Sequence, residues 1–124
     1  MKMIDANVIL RYLLRDIEEQ YIIAKGIIEE GVCTIPEVIP ELVYVLSGIY
    51  EVKREDVALG IKAVLEDVVV MDKSIIEAAL EIYSSNSLDY VDCLFIARNR
   101  LLKETVFTFD NRLRRQLKEI TNRQ

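Results

Sequence analysis

Four carboxylates stand where an apolar strand or helix begins or ends: Asp5 in MIDAN, Glu41 in IPELV, Asp92 in YVDCL and Asp110 in TFDNR. An ionised carboxylate in such a setting must be hydrated, hydrogen bonded or bound to a cation, because leaving it bare in low dielectric costs more than a fold can spare. The residue types around these acids narrow the chemistry. The chain has no histidine, which excludes a Ser-His-Asp triad, a histidine general base and a zinc site of the Cys/His kind. Cys33 and Cys93 lie far apart in apolar runs and read as two buried free thiols rather than a disulfide. Gly26, Gly31, Gly48 and Gly60 are scattered, so neither GxGxxG nor GxxxxGK[ST] is present to cradle a nucleotide phosphate. Whatever reactive chemistry the chain has must run through carboxylates.

Elements must aim these acids, and the hydrophobic pattern supplies them. MKMIDA reads as a short buried strand and Asn7 to Arg15 as a helix with Val8, Ile9, Tyr12 and Leu13 on one face. Glu18 to Glu30 is a second helix, with Ile22, Ile23, Ile27 and Ile28 on its apolar side and Gly31 as its stop. VCTIP is a second strand. ELVYVLSGIY is a helix in whose first turn Pro40 does no harm, which puts Glu41 at its beginning. Arg54 to Asp67 is a helix, VVVM a third strand, and Ser74 the N-cap of a helix through Tyr83. After the SSNS loop, DYVDCLFIARNRL is a helix facing inward through Val91, Leu94, Phe95, Ala97 and Leu101. TVFTF reads as a fourth strand and DNRLRRQLKEI as a basic closing helix. Short apolar strands alternating with helices predict an α/β fold, with a short, mostly parallel sheet of four or five strands covered on both faces in three α/β/α layers. No linker, repeat or low-complexity segment divides residues 1–124, so one domain is expected.

In an open parallel sheet, ligands bind beyond the carboxyl ends of the strands where strand order reverses. Asp5 ends strand one and Asp110 ends strand four; as neighbours at that point they would share a space, with Glu41 and Asp92 at nearby helix starts. Like charges a few ångströms apart raise one another's pKa or repel, and a divalent cation resolves the conflict. Oxygen-only ligands select hard ions, and Mg²⁺ keeps several waters while binding a few carboxylates plus a substrate phosphate. That is the chemistry of metal-assisted phosphodiester hydrolysis.

The same positions carry a family resemblance. IDANVILRYLL, IPEVIPELVYVL, LDYVDCLFIA and TFD resemble, in order and spacing over nearly the whole chain, the motifs of PIN-domain proteins of the VapC-like toxin ribonuclease type. The resemblance implies that Asp5, Glu41, Asp92 and Asp110 form an acidic quartet binding Mg²⁺ or Mn²⁺, with Asn7 and Thr108 supporting the first and last acids. It implies an RNA substrate, a small antitoxin partner and a homodimer. Ala6 departs from the pattern by replacing a hydroxyl residue, and Pro40 bears on the aim of Glu41.

Each acid also has a purely structural reading: Asp92 as a helix-dipole charge, Asp110 as an N-cap. Glu37 is assigned to a solvated turn, Asp72 to a strand terminus and Asp89 to a helix cap or the outer shell of the site. The net charge of −5 opposes RNA binding on average. The charge is uneven, however: from Arg98 onward eight Lys/Arg stand against three acids, leaving −10 on the first 97 residues. Arg112, Arg114 and Arg115 follow Asp110 directly and are the candidate RNA contacts. Two other functions are weighed against the nuclease. A phosphoacceptor receiver domain needs paired acids after strand one, where MIDAN offers one; a PIN-like module that binds without cutting keeps no need for the quartet. No apolar run has the length of a membrane span and no signal-peptide pattern opens the chain, so a cytoplasmic location without membrane contact is expected.

Overall fold

The computed structural model describes residues 1–118. Three short strands, β1 (Lys2–Met3), β2 (Val32–Thr34) and β3 (Val68–Val70), form a parallel sheet in the order β1-β2-β3. Register pairs Met3 with Cys33 and Cys33 with Val69. Around the sheet run α1 (Ala6–Leu14), α2 (Glu18–Glu29), α3 (Val38–Tyr44), α4 (Arg54–Val64), α5 (Lys73–Ser85), α6 (Tyr90–Leu102) and α7 (Asn111–Gln116). A π-helical turn, Val45–Ile49, continues α3.

The alternation of strands and helices places β1 to β3 and α1, α2 and α4 within a few residues of the sequence reading. Strand alternation then sorts the sheet's faces. Ile4, Val32, Thr34, Val68 and Val70 are buried, while Met3 and Val69 point the other way and are exposed. The buried face meets α1, α3, α4, α5 and α6 through Ile9, Ile39, Leu42, Ile61, Leu80 and Ile96, all fully buried. Each such side chain contributes about 1.5–3 kcal/mol relative to leaving it in water.

The expectation of four or five strands is corrected to three. Residues 103–108, which include most of TVFTF, form no strand, and Phe107 and Phe109 are 81% and 85% exposed with their rings edge to face. Hydrogen bonding elsewhere explains this: the buried side-chain amide of Asn99 on α6 donates to Glu104 O at 2.9 Å and Lys118 O at 3.0 Å and accepts Lys118 N–H at 2.8 Å. The returning chain is thus tied to α6, and β1, only two residues long, pairs with β2 alone. Strand order consequently has no reversal at Asp5.

Two helix faces also differ from the periodicity. On α2, Ala24 and Ile28 are buried while Ile22 and Ile23 are exposed. On α6, Tyr90, Cys93, Ile96 and Ala97 face the core, and Val91, Phe95 and Leu101 face outward. Ser74 is the second residue of α5, whose N-cap position is Asp72 in a left-handed conformation (φ 62°). The closing helix ends at Gln116, and its expected continuation to Ile120 lies outside the described residues beyond Lys118.

Candidate active site

Asp5 is positioned by the end of β1. Ile4 N donates to Cys33 O at 2.9 Å, and the buried Thr34 hydroxyl donates to Ile4 O at 2.8 Å, so the residue before Asp5 is stitched to β2 from both sides. A buried bond of this kind contributes about 1 kcal/mol. Asp5 then turns into α1 as its N-cap, accepting Val8 N–H at 3.1 Å on Oδ1. Asn7 lines the cleft between α1 and α2 with Val8, Arg11 and Gln20.

Glu41 is exposed in the first turn of α3, which begins at Val38, so Pro40 sits where its missing N–H has no intrahelical partner to lose. Asp110 is the N-cap of α7: its Oδ1 accepts Arg112 N–H at 2.8 Å and Leu113 N–H at 3.0 Å. Thr108 supports this turn, its hydroxyl accepting Asp110 N–H at 3.0 Å and its carbonyl accepting the Arg114 guanidinium at 2.9 Å.

Asp92 lies half-buried in the first turn of α6. Burial pushes its carboxyl above the usual aspartate range, and the charges of Asp89 and Asp110 push the same way, with Arg112 opposing. Asp92, Asp89 and Asp110 therefore share one electrostatic neighbourhood. Asp5 and Glu41 are not among the charges that shift Asp92. Among the described residues no three Asp, Glu or Cys side chains stand close enough to hold an ion between them. Among the described residues no strand pairs the segment of Asp110 to β1.

Asp92 lines one cavity, and the loop before α6 lines a second. One, of about 530 Å³, lies between α3 with its π-helical turn and the start of α6, and is lined by Tyr44, Ser47, Arg54, Asp89, Tyr90 and Asp92 among others. The other, of about 110 Å³, is polar and lined by Asn86, Ser87, Leu88, Arg112, Arg115 and Gln116. The loop 86–89 contributes a wall to each, Asn86, Ser87 and Leu88 to the smaller and Asp89 to the larger. Asn86 Oδ1 accepts Leu88 N–H at 2.8 Å, and Arg112 donates to the Ser87 hydroxyl.

Arg54 holds this wall. Its guanidinium donates to Tyr83 O at 2.8 Å and to Leu88 O, and lies 3.6 Å from the centroid of the Tyr83 ring. The sequence reading passed over Arg54, Thr34 and Asn99. For Arg54 a signal existed: Lys53 and Arg54 open α4, where the helix dipole disfavours cations, so a specific partner was called for. Burial pushes the Cys93 thiol up to about 11 against the opposing pull of Arg54, so it stays protonated at neutral pH. Both cysteines are free.

A family model described as PIN domain matches residues 2–118. The chain belongs to the PIN domain family. Comparison with curated proteins and with solved structures found no match. The PIN domain is generally a nuclease fold, consistent with three α/β/α layers, and its members usually bind Mg or Mn in the active site. The match favours neither a receiver domain nor a module that binds without cutting. No described helix of this PIN domain is long and apolar enough to cross a membrane.

The donor set of this PIN domain suits a hard cation. Its candidate ligands are carboxylate oxygens, and the charge of Asp110 helps to raise the Asp92 carboxyl. Mg²⁺ is commonly held by one or two carboxylates, several waters and substrate phosphate rather than by an all-protein cage. Two acids suffice for that requirement, and among the described residues no three stand close enough to hold an ion between them.

Proposed function

We propose that this PIN domain is a Mg²⁺- or Mn²⁺-dependent endoribonuclease, with Asp92 and Asp110 as the main metal-holding residues and Asp5 and Glu41 completing the acidic site. The observation that carries the reading is the shared field of Asp92, Asp89 and Asp110 beside Arg112, in a chain of a nuclease family. A bound divalent ion would supply an activated water and neutralise charge on the leaving oxygen. The protein's own groups do the rest. Asp110, held by two α7 amides and by Thr108, keeps a fixed direction. Arg112 and Arg115, lining the polar cleft, offer guanidinium forks to backbone phosphates, with Arg114 next to them on α7. Asn7 is assigned to the surroundings of Asp5.

Within this reading the chain is the toxin of a VapBC-like pair, working as a homodimer and restrained by a small antitoxin. The exposed apolar side chains Ile22, Ile23, Tyr44 and Ile49 supply surface for such partners. The test is incubation of the purified protein with structured RNA in Mn²⁺, Mg²⁺ and EDTA, for wild type and Asp92→Asn. Cleavage that needs metal and falls at least a hundredfold in the variant supports the nuclease; metal-independent cleavage, or equal rates, overturns it. Growth arrest on expression, relieved by a co-expressed neighbouring reading frame, tests the toxin role.

A further inference from the structure

One face of the sheet is left open. The steps from β1 to β2 and from β2 to β3 run in the same direction across the sheet, and right-handed crossovers taken in one direction lay their helices on the same side. α5 and α6, packed against α4 and against each other, stay with that covered side. Met3, Cys33 and Val69 are in-register neighbours on β1, β2 and β3, so their side chains form one row on the other side. Met3 is 62% and Val69 57% exposed, and Cys33, on the central strand between them, is half-buried. Met1, Ile35 and Met71, each two residues along from a member of the row, are exposed as well.

Charge, size and relief restrict what covers this face. The row has no charged side chain, and exposed apolar groups gathered in this way mark an interaction surface. The strand ends beside it carry Asp5, Asp67 and Asp72 against Lys2, a balance that repels an anionic lipid surface and nucleic acid alike. The six side chains together expose roughly 600 Å², so two such faces in contact bury roughly 1,200 Å², the lower bound of a specific interface between proteins. Relief favours a copy of the same face. Turned about a twofold axis running along β2, the row sets the longer Met3 of each copy over the shorter Val69 of the other, and Cys33 over Cys33 at the centre.

We infer that this face pairs with the same face of a second copy, giving a twofold dimer in which the two sheets stack. Packed sheets lie about 10 Å apart, with the inner side chains filling the gap. The two Cys33 thiols then face each other across the axis, while their backbones stay farther apart than the roughly 5.5–6 Å between Cα atoms that a disulfide needs. The contact buries apolar side chains and no ion pair, so salt should weaken it little. The inference rests on the functional reading only for its homodimer, to which it gives a surface, and on neither its metal nor its RNA.

Sedimentation equilibrium of the full chain in EDTA, from about 1 to 200 µM and at low and high salt, tests it. The wild type should dimerise with a micromolar Kd at both salt concentrations. Val69→Lys and, on another strand, Met3→Lys put a charge on an exposed position that the monomer tolerates and the stacked pair does not. Each should weaken dimerisation by about tenfold or more, with unchanged circular dichroism. A short bis-maleimide should join two wild-type copies and leave Cys33→Ser unjoined, because Cys93 is buried and protonated. A folded wild type that stays monomeric throughout overturns the pairing, as does a dimer that both lysine variants leave intact. A dimer that gives no Cys33 cross-link overturns this face while the homodimer of the functional reading stands. Flotation of the monomer with vesicles of phosphatidylcholine and phosphatidylglycerol would overturn it in favour of lipid. A Cys33-linked dimer that cleaves no RNA upholds the pairing and removes the nuclease.

Discussion

Asp92, in the first turn of α6, lies within the field of Asp110, the N-cap of α7, with the Arg112 guanidinium acting against that repulsion. Its carboxyl is raised above the ordinary value by burial first and by Asp89 and Asp110 next. A carboxyl whose folded pKa exceeds its unfolded one favours the fold while protonated, below the unfolded pKa near 3.8, and that contribution is lost as pH rises through the folded pKa. At neutral pH without metal, Asp92 therefore works against folding. Asp92→Asn should raise the melting temperature at pH 7 in EDTA, and the gap should close as pH is lowered below that value. Melting curves from pH 3 to 8 check it; a variant less stable than wild type at pH 7 contradicts the repulsion.

Metal should reverse the order. An ion that binds only the folded state stabilises it by mass action, about 1.4 kcal/mol at tenfold excess over its Kd. Mn²⁺ or Mg²⁺ at millimolar concentration should raise the wild-type melting temperature by several degrees, whereas Asp5→Asn combined with Asp92→Asn should show no shift. Calorimetric scans with and without metal decide it. The single variants add a finer reading: if Asp92 holds the ion without Asp5, Asp5→Asn alone retains most of the shift.

The parts of this arrangement that were legible in the sequence are those set by local chemistry. Asp110 before a polar helix is an N-cap because its short side chain reaches the first free amides, and the structure shows both bonds. Gly31, at φ 94°, ends the turn after α2 as a glycine can. What failed depended on distant partners. Both stripes of α6 are apolar, so periodicity alone could not choose between Val91, Phe95 and Leu101 and the stripe of Tyr90, Cys93 and Ile96 that the neighbouring α5 selects. TVFTF has strong β propensity, yet a strand exists only where an edge accepts it, and Asn99 directs the chain elsewhere. The convergence of four acids was inferred from that missing strand, so the strand no longer supports it, and among the described residues no three acids are grouped closely enough to hold an ion. Arg54 was legible as a cation in need of a partner but not as a clamp, because its acceptors are backbone carbonyls of Tyr83 and Leu88, which no side-chain pattern announces.

That clamp gives a third prediction. Arg54 joins the start of α4 to the end of α5 and to the 86–89 wall by a planar fork that a lysine cannot reproduce. Arg54→Lys keeps the charge but leaves one carbonyl unpaired and loses the close stacking on Tyr83. It should cost roughly 2 kcal/mol in urea unfolding. Amide exchange should quicken at Leu88, while β2 and β3 stay as protected as in wild type. A loss below a few tenths of a kcal/mol would show that the bonds are made equally well by water.

Tyr90→Phe tests what a buried hydroxyl without a partner costs the fold. The Tyr90 ring packs edge to face on Tyr83 at 6.4 Å and is buried, so phenylalanine preserves the packing. The hydroxyl alone disappears, and with it a buried polar group that has no partner. Removing such a group should stabilise the free protein by about 1 kcal/mol, in contrast to the loss expected if the hydroxyl were bonded. Urea unfolding in metal-free, nucleotide-free buffer measures the sign. A destabilised variant would mean that the hydroxyl is already satisfied in solution, by a buried water or by a backbone shift.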